Sequence, residues 1–268
     1  MTNQPADDRR MGFWLTTPNF QLAEMLALAG FRRVILDVEH GPFGHETLHQ
    51  LIPALKGLGL EVFVKVLAPE RSPIQTVLDF GADGVMIPHI QNLAHAREVT
   101  GYSKFPPTGD RSLAGGRAMG YRMQPDTWFH DTNRRTRCFA MIETAGALAD
   151  VEAIAALPTV DGLFPGPTDL SLRRQRGMYK RTEADWVDLA TIANAARVGT
   201  PLEGCAMLVT HYPCMSCAKT IVQAGIKQVV CPEPEAGFAE RWAEDIQRTR
   251  ALFYECGVHL ITFEEAAG

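Results

Sequence analysis

The sequence predicts a parallel α/β fold with eight βα units, the number that closes a (β/α)8 barrel. Short apolar runs typical of strands alternate with segments of helical spacing along almost the whole chain. The repeat of this alternation is short, as in sheets built from consecutive βαβ units. The chain has 268 residues, which suffice for one domain of barrel size or for two small domains.

Six of the predicted units precede residue 197. Their strands are expected at residues 13–16, 33–38, 62–67, 84–90, 138–142 and 160–164, and the clearest helices at residues 21–28, 46–58, 73–80, 93–100 and 145–157. Between the fourth and fifth units, residues 101–120 form a long loop rich in Gly, Pro and Arg, followed by a polar helix at 124–134. Loops of this length in a compact domain are usually functional or disordered.

One βαβ unit, residues 136–172, carries an acid after each of its strands. Its first strand ends in Glu143, and its second is followed by a Gly-Pro break and Asp169. Neighbouring parallel strands lie roughly 5 Å apart, so acids beyond both carboxyl ends face one crevice. Two hard oxygen ligands at one mouth suit Mg²⁺ or Mn²⁺ better than zinc. The alternative is that each acid is solvated or caps a helix.

Composition excludes several classes of protein. The apolar fraction of 46% is ample for a core, and the net charge of −5 gives no reason to expect a nucleic acid or an anionic membrane as partner. Runs of about 20 apolar residues, which a membrane span needs, are not found in the sequence. Residues 1–10 lack the apolar middle of a signal peptide and are expected to be a flexible tail. The expected location is the cytoplasm.

The cysteines are distributed unevenly. Cys138 stands alone, and the other five lie in the last quarter of the chain: Cys205, Cys214, Cys217, Cys231 and Cys256. A reducing compartment makes disulfides unexpected. Two of these cysteines are separated by two residues, a spacing that metal sites use. The asymmetry indicates that the C-terminal part has a different history.

Residues 10–190 resemble the HpcH/HpaI family of metal-dependent (class II) pyruvate aldolases. The matching pieces occur in the family's order: MGFWLTTPNFQLAEMLALAGF, VILDVEHGPFG, VLDFGADGVMIPHIQN, KFPPTGDRS and MIETAGALADVEAIAALPTVDGLFPGPTDLS. The resemblance implies a TIM barrel in a symmetric oligomer, with Mg²⁺ or Mn²⁺, or alternatively Co²⁺, as the metal. It also implies a carbon–carbon lyase that reversibly cleaves a 4-hydroxy-2-oxo acid to pyruvate, or a related 2-oxo acid, and an aldehyde.

The resemblance assigns roles by position. Glu143 and Asp169 match the metal ligands, and His40 and Asp37 match the general-base dyad. The turn over residues 166–169 matches the segment whose backbone N–H groups hold the pyruvate carboxylate. Its expected substrate-binding residues are Gly166, Pro167 and Thr168. His89, near the end of the fourth strand, is interpreted as structural.

Lys65 departs from the family pattern, because many members carry an arginine in the third strand. Lysine keeps the charge but loses the planar fork that binds an oxyanion twice. Lys65 is therefore expected to balance the substrate's oxyanion charge, and the alternative is a solvent-facing lysine. Arg111, in the long loop, is expected either to meet an acidic aldehyde or to brace a subunit contact.

Residues 192–263 resemble the C-terminal half of a zinc-dependent cytidine or deoxycytidylate deaminase. The matching pieces are IANAARVGTPLEG and PCMSCAKTIVQAGIKQVV. The resemblance implies zinc at Cys214 and Cys217. A deaminase also needs a third ligand and a glutamate from an H-x-E motif. Here that motif's position falls on residues 186–188, Trp-Val-Asp, and His211 lies where the family places no ligand. The two thiols are expected to hold zinc weakly or to be inert.

The two resemblances meet between Trp186 and Arg197, so the expected parts are a tail (1–10), an aldolase-like portion (11–190) and a deaminase-like segment (191–268). A natural fusion, a recombination event and a designed chimera all fit. The segment is expected to supply the last two βα units, with strands at 206–209, 227–230 and 258–263 and helices at 214–224 and 236–256. Deaminase strands form an open sheet, so barrel closure is left open. The alternative function is a deaminase relic or an inert chimera.

Overall fold

The computed structural model describes residues 12–178, 180, 182, 184–185, 187–192, 206–208, 212–223, 226–234 and 236–263. The chain divides into two compact units, Met1–Met178 and Tyr179–Gly268. This division falls before residue 190, where the resemblance to aldolases was expected to end. Among the residues that the structure describes, every helix is too short or too polar to cross a bilayer.

The first unit alternates strands and helices in a regular order. Its strands are β1 (Gly12–Leu15), β2 (Arg33–Asp37), β3 (Glu61–Lys65), β4 (Gly84–Ile87), β5 (Arg137–Ile142) and β6 (Gly162–Pro165). Its helices are α1 (Phe20–Leu28), α2 (His45–Gly57), α3 (Arg71–Asp79), α4 (Leu93–Gly101), α5 (Thr127–Arg135), α6 (Ala145–Ala149), α7 (Val151–Ala155) and α8 (Pro167–Arg173). The six strands form one sheet in sequence order, and each neighbouring pair is parallel. The predicted parallel α/β fold is confirmed.

The six-stranded sheet is strongly curved. The rings of Trp14 on β1 and Phe164 on β6 lie 5.5 Å apart between centroids. In a flat sheet these two strands would be about 24 Å apart, because each strand spacing is about 4.8 Å. Phe63 on β3 and Phe139 on β5 likewise meet at 5.5 Å across the strand between them. The sheet is therefore half of a barrel, with aromatic side chains filling its concave side.

The helices of this unit bury apolar stripes against the sheet. In α2 the buried residues are Leu48, Leu51, Ile52 and Leu55, the i, i+3, i+4, i+7 pattern of an amphipathic helix. The predicted helix at 145–157 is two helices, α6 and α7, which meet at Asp150. The Asp150 carboxylate accepts a hydrogen bond from the backbone N–H of Leu93 at 2.8 Å. That tertiary bond explains the position of the break.

The second unit has its own parallel sheet and core. Its elements are β7 (Ala206–Leu208), α9 (Met215–Gln223), β8 (Gln228–Pro232), α10 (Ala236–Arg241), α11 (Ala243–Glu255) and β9 (His259–Phe263). The strand order is β7-β8-β9, with both pairs parallel. Its core is formed by the buried residues Ala218, Ile221, Ile226, Val229, Phe253 and Val258. The predicted helix at 236–256 is divided into α10 and α11. Closure of an eight-stranded barrel stays a prediction.

Candidate active site

Charged side chains lie at or just beyond the carboxyl ends of four strands of the first unit, and all are at the same end of the sheet. Asp37 and Lys65 are the last residues of β2 and β3. Glu143 follows β5, and Asp169 lies in the first turn of α8, directly after β6. Because the strands are parallel, their carboxyl ends share one edge, which is where α/β proteins place their ligand sites.

Glu143 is a buried carboxylate that lies close to other negatively charged groups. It is 2% exposed, and its Oε1 accepts the backbone N–H of His89 at 2.5 Å. Burial raises the pKa of Glu143, and the negative charges of Asp169 and Glu39 raise it further. The hydrogen bond from His89 opposes this shift. A cation beside these carboxylates would relieve the repulsion.

Gly166 packs directly against the side chain of Glu143. A Cβ atom at Gly166 would lie 2.6 Å from the Cβ of Glu143 and 2.7 Å from its Oε2. Contacts this short are not tolerated, so only glycine fits where the chain leaves β6. The N–H of Gly166 also donates to the carbonyl oxygen of Ile142 at 3.0 Å. The close approach of the two strand ends is thereby maintained.

The donor set fits a hard divalent cation. Glu143 and Asp169 offer carboxylate oxygens, and their charges are close enough to shift the pKa of Glu143. Within the described part of the chain, no cluster of three or more His, Cys, Asp or Glu side chains is arranged to hold a metal. A site with only two protein carboxylates leaves positions for water and substrate. Mg²⁺ is usually bound in this way.

His89, which the sequence was interpreted to use as a structural residue, lies at the centre of the cluster. Its Nε2 is 2.6 Å from Oε1 of Glu39, and its Nδ1 is 3.1 Å from Oε1 of Glu143. The Arg173 guanidinium approaches the same Nδ1 at 3.0 Å. The backbone of His89 has φ +55°, a strained conformation for a non-glycine residue. Its position just after β4 was the available signal in the sequence.

Lys65 is buried, and the alternative of a solvent-facing lysine is wrong. It is 6% exposed, and its Nζ lies 2.7 Å from Oε2 of Glu39 and 3.5 Å from Oδ1 of Asp37. Glu39 therefore connects the ammonium group to the imidazole of His89. Sequence reasoning assigned no role to Glu39, although it directly precedes His40.

The structure does not form the predicted dyad of His40 and Asp37. The Asp37 carboxylate accepts the indole N–H of Trp14 at 3.0 Å and the backbone N–H of His40 at 3.2 Å. The His40 ring is exposed, and its Nε2 lies 3.6 Å from Oε1 of Glu39. The backbone hydrogen bond directs Asp37 to the main chain of His40 and away from the ring. The carboxylate that approaches the His40 ring is that of Glu39.

The structure places Arg111 in a different set of contacts. Its guanidinium donates to Oδ1 of Asp79 at 2.8 Å and lies over the ring of Phe105 at 4.7 Å. Burial lowers the pKa of Arg111, and the Asp79 carboxylate opposes that shift. Asp79 is the last residue of α3, at the opposite end of its βα unit from Lys65. Arg111 is thus not brought together with Glu143 and Asp169.

The predicted zinc thiols lie in the second unit. The Sγ atoms of Cys214 and Cys217 are 3.5 Å apart at the start of α9. Among the described residues, no group of three or more His, Cys, Asp or Glu side chains is arranged to hold a metal. Trp186, His211 and Cys205 lie outside the described residues. The deaminase-like interpretation of this segment therefore stays a prediction.

The sheet is parallel and curved, and carboxylates lie at the carboxyl ends of its strands. Proteins of the α/β-barrel class place their ligand sites at that edge. A family model described as HpcH/HpaI aldolase/citrate lyase matches residues 10–230. The chain belongs to this family. The match extends beyond residue 190, the predicted end of the resemblance.

The chain is similar to two aldolases along part of its length. It is 38% identical over 165 residues to a 2-dehydro-3,6-dideoxy-6-sulfogluconate aldolase of Pseudomonas putida, covering 60% of this chain and 63% of that one. It is 34% identical over 166 residues to a 4-hydroxy-2-oxovalerate aldolase of Novosphingobium aromaticivorans, covering 60% and 62%. The chain thus spans less than two thirds of the length of these relatives.

A solved structure extends the likeness over most of the chain. An HpcH/HpaI aldolase/citrate lyase family protein from Burkholderia cenocepacia J2315 matches with a TM-score of 0.64 and 26% identity. The match covers 96% of this chain and 88% of that one.

Proposed function

We propose that the protein is a divalent-metal-dependent aldolase. It reversibly cleaves a 4-hydroxy-2-oxo acid to pyruvate, or a related 2-oxo acid, and an aldehyde. The observation that carries the proposal is the buried Glu143 carboxylate, set against Asp169 at the carboxyl ends of adjacent strands. The names of the two similar aldolases support the same reaction class.

Glu143 and Asp169 are the residues that would hold the metal, which we expect to be Mg²⁺ or Mn²⁺, with Co²⁺ as an alternative. When bound, the cation supplies Lewis-acid polarisation of the oxygens of a 2-oxo acid. Gly166 allows the observed position of Glu143, because a side chain at Gly166 would clash with that carboxylate. The backbone N–H of His89 orients Oε1 of the same group.

His40 is the proposed proton carrier. Its imidazole is the exposed ring at this edge of the sheet, next to Glu39, and imidazole is the group most often used for general acid–base catalysis. In the condensation direction it would take a proton from the methyl carbon of pyruvate and deliver it to the alkoxide that the aldehyde oxygen becomes. In cleavage it would take the proton of the 4-hydroxyl group and deliver it to the carbon that becomes the methyl group of pyruvate. Glu39, 3.6 Å from the ring, is its orienting acid in place of Asp37.

Lys65 is the proposed partner of the negative charge that develops on the substrate oxygen. Its ammonium group is held between Glu39 and Asp37, so its position is fixed before the substrate arrives. Preorganised charge of this kind stabilises a transition state without reorganisation. A lysine offers one compact charge, so we expect weaker fixation of the oxygen than an arginine would provide.

The turn at residues 166–169 is the proposed cradle for the substrate carboxylate. Gly166 uses its N–H on Ile142, and Pro167 has none. The amides of Thr168 and Asp169 are in the first turn of α8, where N–H groups lack an intrahelical acceptor. These two amides are the donors we assign to the carboxylate.

The decisive experiment measures pyruvate release from a 4-hydroxy-2-oxo acid by the full chain. We expect turnover with Mg²⁺, Mn²⁺ or Co²⁺, none with EDTA, and a loss of about 100-fold or more in Glu143→Gln, since a group that acts in the transition state is removed. The matched control is Glu152→Gln, an exposed acid on α7, which should keep full activity. Turnover that EDTA leaves unchanged would contradict the metal-dependent mechanism.

The same preparations test the other readings of the sequence. Ammonia release from a cytosine nucleotide, with stoichiometric zinc that Cys217→Ser removes, would identify a deaminase. A folded chain without either activity would be an inert hybrid. We expect small-molecule substrates, a homo-oligomeric assembly and a cytoplasmic location.

A further inference from the structure

Arg173 is a charged side chain beside the candidate active site that the proposed reaction does not use. It is the last residue of α8 and lies one turn after Asp169, so both side chains are on the same face of the helix. Helical side chains lean towards the helix N terminus, and the Arg173 guanidinium reaches Nδ1 of His89 at 3.0 Å. The same nitrogen lies 3.1 Å from Oε1 of Glu143. A positive charge is thus placed beside a proposed metal ligand.

The pairing of Arg173 differs from that of other arginines in the first unit. Several of these form ion pairs with carboxylates: Arg33, Arg71, Arg111, Arg134 and Arg137. The Arg173 guanidinium is exposed and contacts an imidazole nitrogen instead. Within the described part of the chain, its charge is therefore not neutralised by an ion pair. A guanidinium presents several N–H donors in a planar fork, so donors remain for a ligand.

The His89 ring gives the guanidinium a fixed position. When Nδ1 accepts a hydrogen bond from Arg173, the ring proton is on Nε2, which lies 2.6 Å from Oε1 of Glu39. The backbone N–H of His89 donates to Glu143 at 2.5 Å. The ring is therefore held on two sides, and Arg173 contacts a group that is already ordered. A preordered donor loses less conformational freedom when a ligand binds.

A bound cation changes the charge balance around Arg173. With a divalent cation on Glu143 and Asp169, the negative charges of both carboxylates are neutralised, and the guanidinium gains a positive neighbour. An anionic ligand group beside Arg173 is then attracted by the guanidinium and by the metal. One guanidinium carries one positive charge, which a carboxylate or a sulfonate matches, whereas a phosphate dianion brings a second negative charge. The planar fork of arginine also binds such anions through two oxygens.

The part that all 4-hydroxy-2-oxo acids share already has partners in the proposed function. The carboxylate is assigned to the turn at residues 166–169, the 2-oxo oxygen to Lys65 and the metal, and the transferred proton to His40. Arg173 is left for the part that differs between substrates, the far end of the aldehyde. We propose that Arg173 binds a carboxylate or sulfonate there and selects aldehydes that carry such a group. The inference rests on the proposed aldolase function. Arg111, which the sequence suggested for an acidic aldehyde, makes other contacts.

The experiment measures condensation of pyruvate with aldehydes of different charge, using the full chain with Mg²⁺. Succinic semialdehyde and 3-sulfopropanal are compared with butanal, which has a chain of similar length and no charge. We expect kcat/KM to be roughly 10- to 100-fold higher for at least one of the charged aldehydes, as a charge-assisted hydrogen bond provides. The better of the two identifies the anion as a carboxylate or a sulfonate.

Variants separate binding of the anion from support of the fold. Arg173→Gln keeps an N–H donor for His89 but has neither the charge nor the fork. It should lose roughly 10- to 100-fold in kcat/KM with the preferred charged aldehyde, mainly through KM, and nothing with butanal. Arg173→Lys keeps the charge and should restore part of the preference. The matched control is Arg97→Gln, at an exposed position on α4, which should behave like the parent with every aldehyde.

Calorimetry tests binding without turnover. 2-Oxoheptanedioate and 2-oxo-6-sulfohexanoate lack the 4-hydroxyl group and cannot be cleaved, and 2-oxoheptanoate is the counterpart without a charge at its far end. With Mg²⁺ present, the parent should bind at least one of the charged analogues roughly tenfold or more tightly than 2-oxoheptanoate. Arg173→Gln should bind all three with similar affinity, and Arg97→Gln should match the parent.

The outcomes separate this inference from the proposed function. Equal use of charged and neutral aldehydes by the parent, or an equal loss with both in Arg173→Gln, overturns the role of Arg173 and leaves the aldolase function in place. Absence of turnover with every aldehyde contradicts the aldolase function. In that case the calorimetric comparison still decides, and equal affinities for charged and neutral analogues overturn the role of Arg173.

Discussion

At the residue scale, folding without a bound cation disfavours the ionised form of the Glu143 carboxyl group. Its pKa is raised in the folded state, so the folded protein binds more protons than the unfolded chain at pH values above the ordinary 4.5. Stability then falls as pH rises through this window. The effect is the opposite of the usual salt-bridged carboxylate, and it should be visible only when no cation is bound.

Replacing Glu143 with Gln tests this directly. The amide oxygen can still accept the N–H of His89, but the side chain cannot ionise. In EDTA, Glu143→Gln should be more stable than the parent, with a difference that is small near pH 4 and grows towards pH 7. Urea denaturation at several pH values measures it, and the exposed Glu152→Gln should show no such trend. A difference independent of pH would contradict the assignment.

Gly166 offers a steric test of the same site. An alanine there would press on the Cβ and Oε2 of Glu143, which costs about 1–3 kcal/mol by overpacking. We expect Gly166→Ala to weaken Mg²⁺ binding roughly 10- to 100-fold, as loss of support for a ligand does, measured by calorimetry. The control is Gly44→Ala, because a Cβ at Gly44 meets nothing within 4 Å. Equal affinities in both variants would show that Glu143 is not confined.

Some of these residues could be located from the sequence and others could not, for a physical reason. Glu143 and Asp169 follow strands, so their positions at one edge could be predicted from the topology alone. Glu39 and His89 meet through side-chain directions, which depend on the curvature of the sheet. Asp37 could have oriented the ring or the backbone of His40, and only coordinates distinguish the two.

At the scale of elements, Thr144 links the start of α6 to the loop after β4. Its hydroxyl donates to the carbonyl oxygen of Ile90 at 2.7 Å and accepts the N–H of Ala147 at 3.0 Å. Both bonds are buried, so one side chain serves as the cap of a helix and as a tertiary contact. The helix that follows Glu143 is held in place by this residue.

Loss of that hydroxyl should therefore cost more than loss of an ordinary cap. We expect Thr144→Val to lower the free energy of unfolding by about 2 kcal/mol, because a buried carbonyl also loses its partner. Asn19→Ala, which removes the exposed cap of α1, should cost about 1 kcal/mol. Urea denaturation measures both. If the exposed cap costs as much as the buried one, Thr144 has no tertiary role.

The elements themselves were largely predictable. Hydrophobic periodicity placed the strands and most helices within a few residues of their observed ends, because each buries one face. The broken helices are the exceptions. The helix breaks at an aspartate, Asp150, and not at a glycine or proline. The break follows from the hydrogen bond that Asp150 accepts from Leu93, 57 positions away in the chain. Such a bond leaves no local signal.

At the scale of the whole molecule, the chain consists of two units with separate cores, and the proposed metal ligands belong to the first. Binding of the proposed Mg²⁺ should stabilise the folded state by mass action, by about 2.7 kcal/mol at a concentration 100 times the dissociation constant. We expect hydrogen exchange to slow in peptides from residues 12–178 and to stay unchanged in residues 206–263. Mass spectrometry with and without EDTA measures this. Protection confined to the second unit would place the cation elsewhere.

The alternation of strands and helices was enough to predict a parallel sheet, because βαβ connections impose that topology. The division into two sheets was not predictable, since eight units fit a closed barrel equally well by count. The resemblance of the C-terminal segment to deaminases drew attention to that segment without deciding how its strands pair. Local patterns define each strand, and its partners depend on the whole chain.

The fluorescence of Trp14 can report changes at the curved sheet. Its indole donates to Asp37 and lies against Phe164, so it connects the first strand to the last strand of the sheet. A substrate that entered between these strands would alter the polarity around the indole. The emission wavelength of the unlabelled protein would then record whether a substrate is bound beside Trp14, and Trp14→Phe would remove that signal.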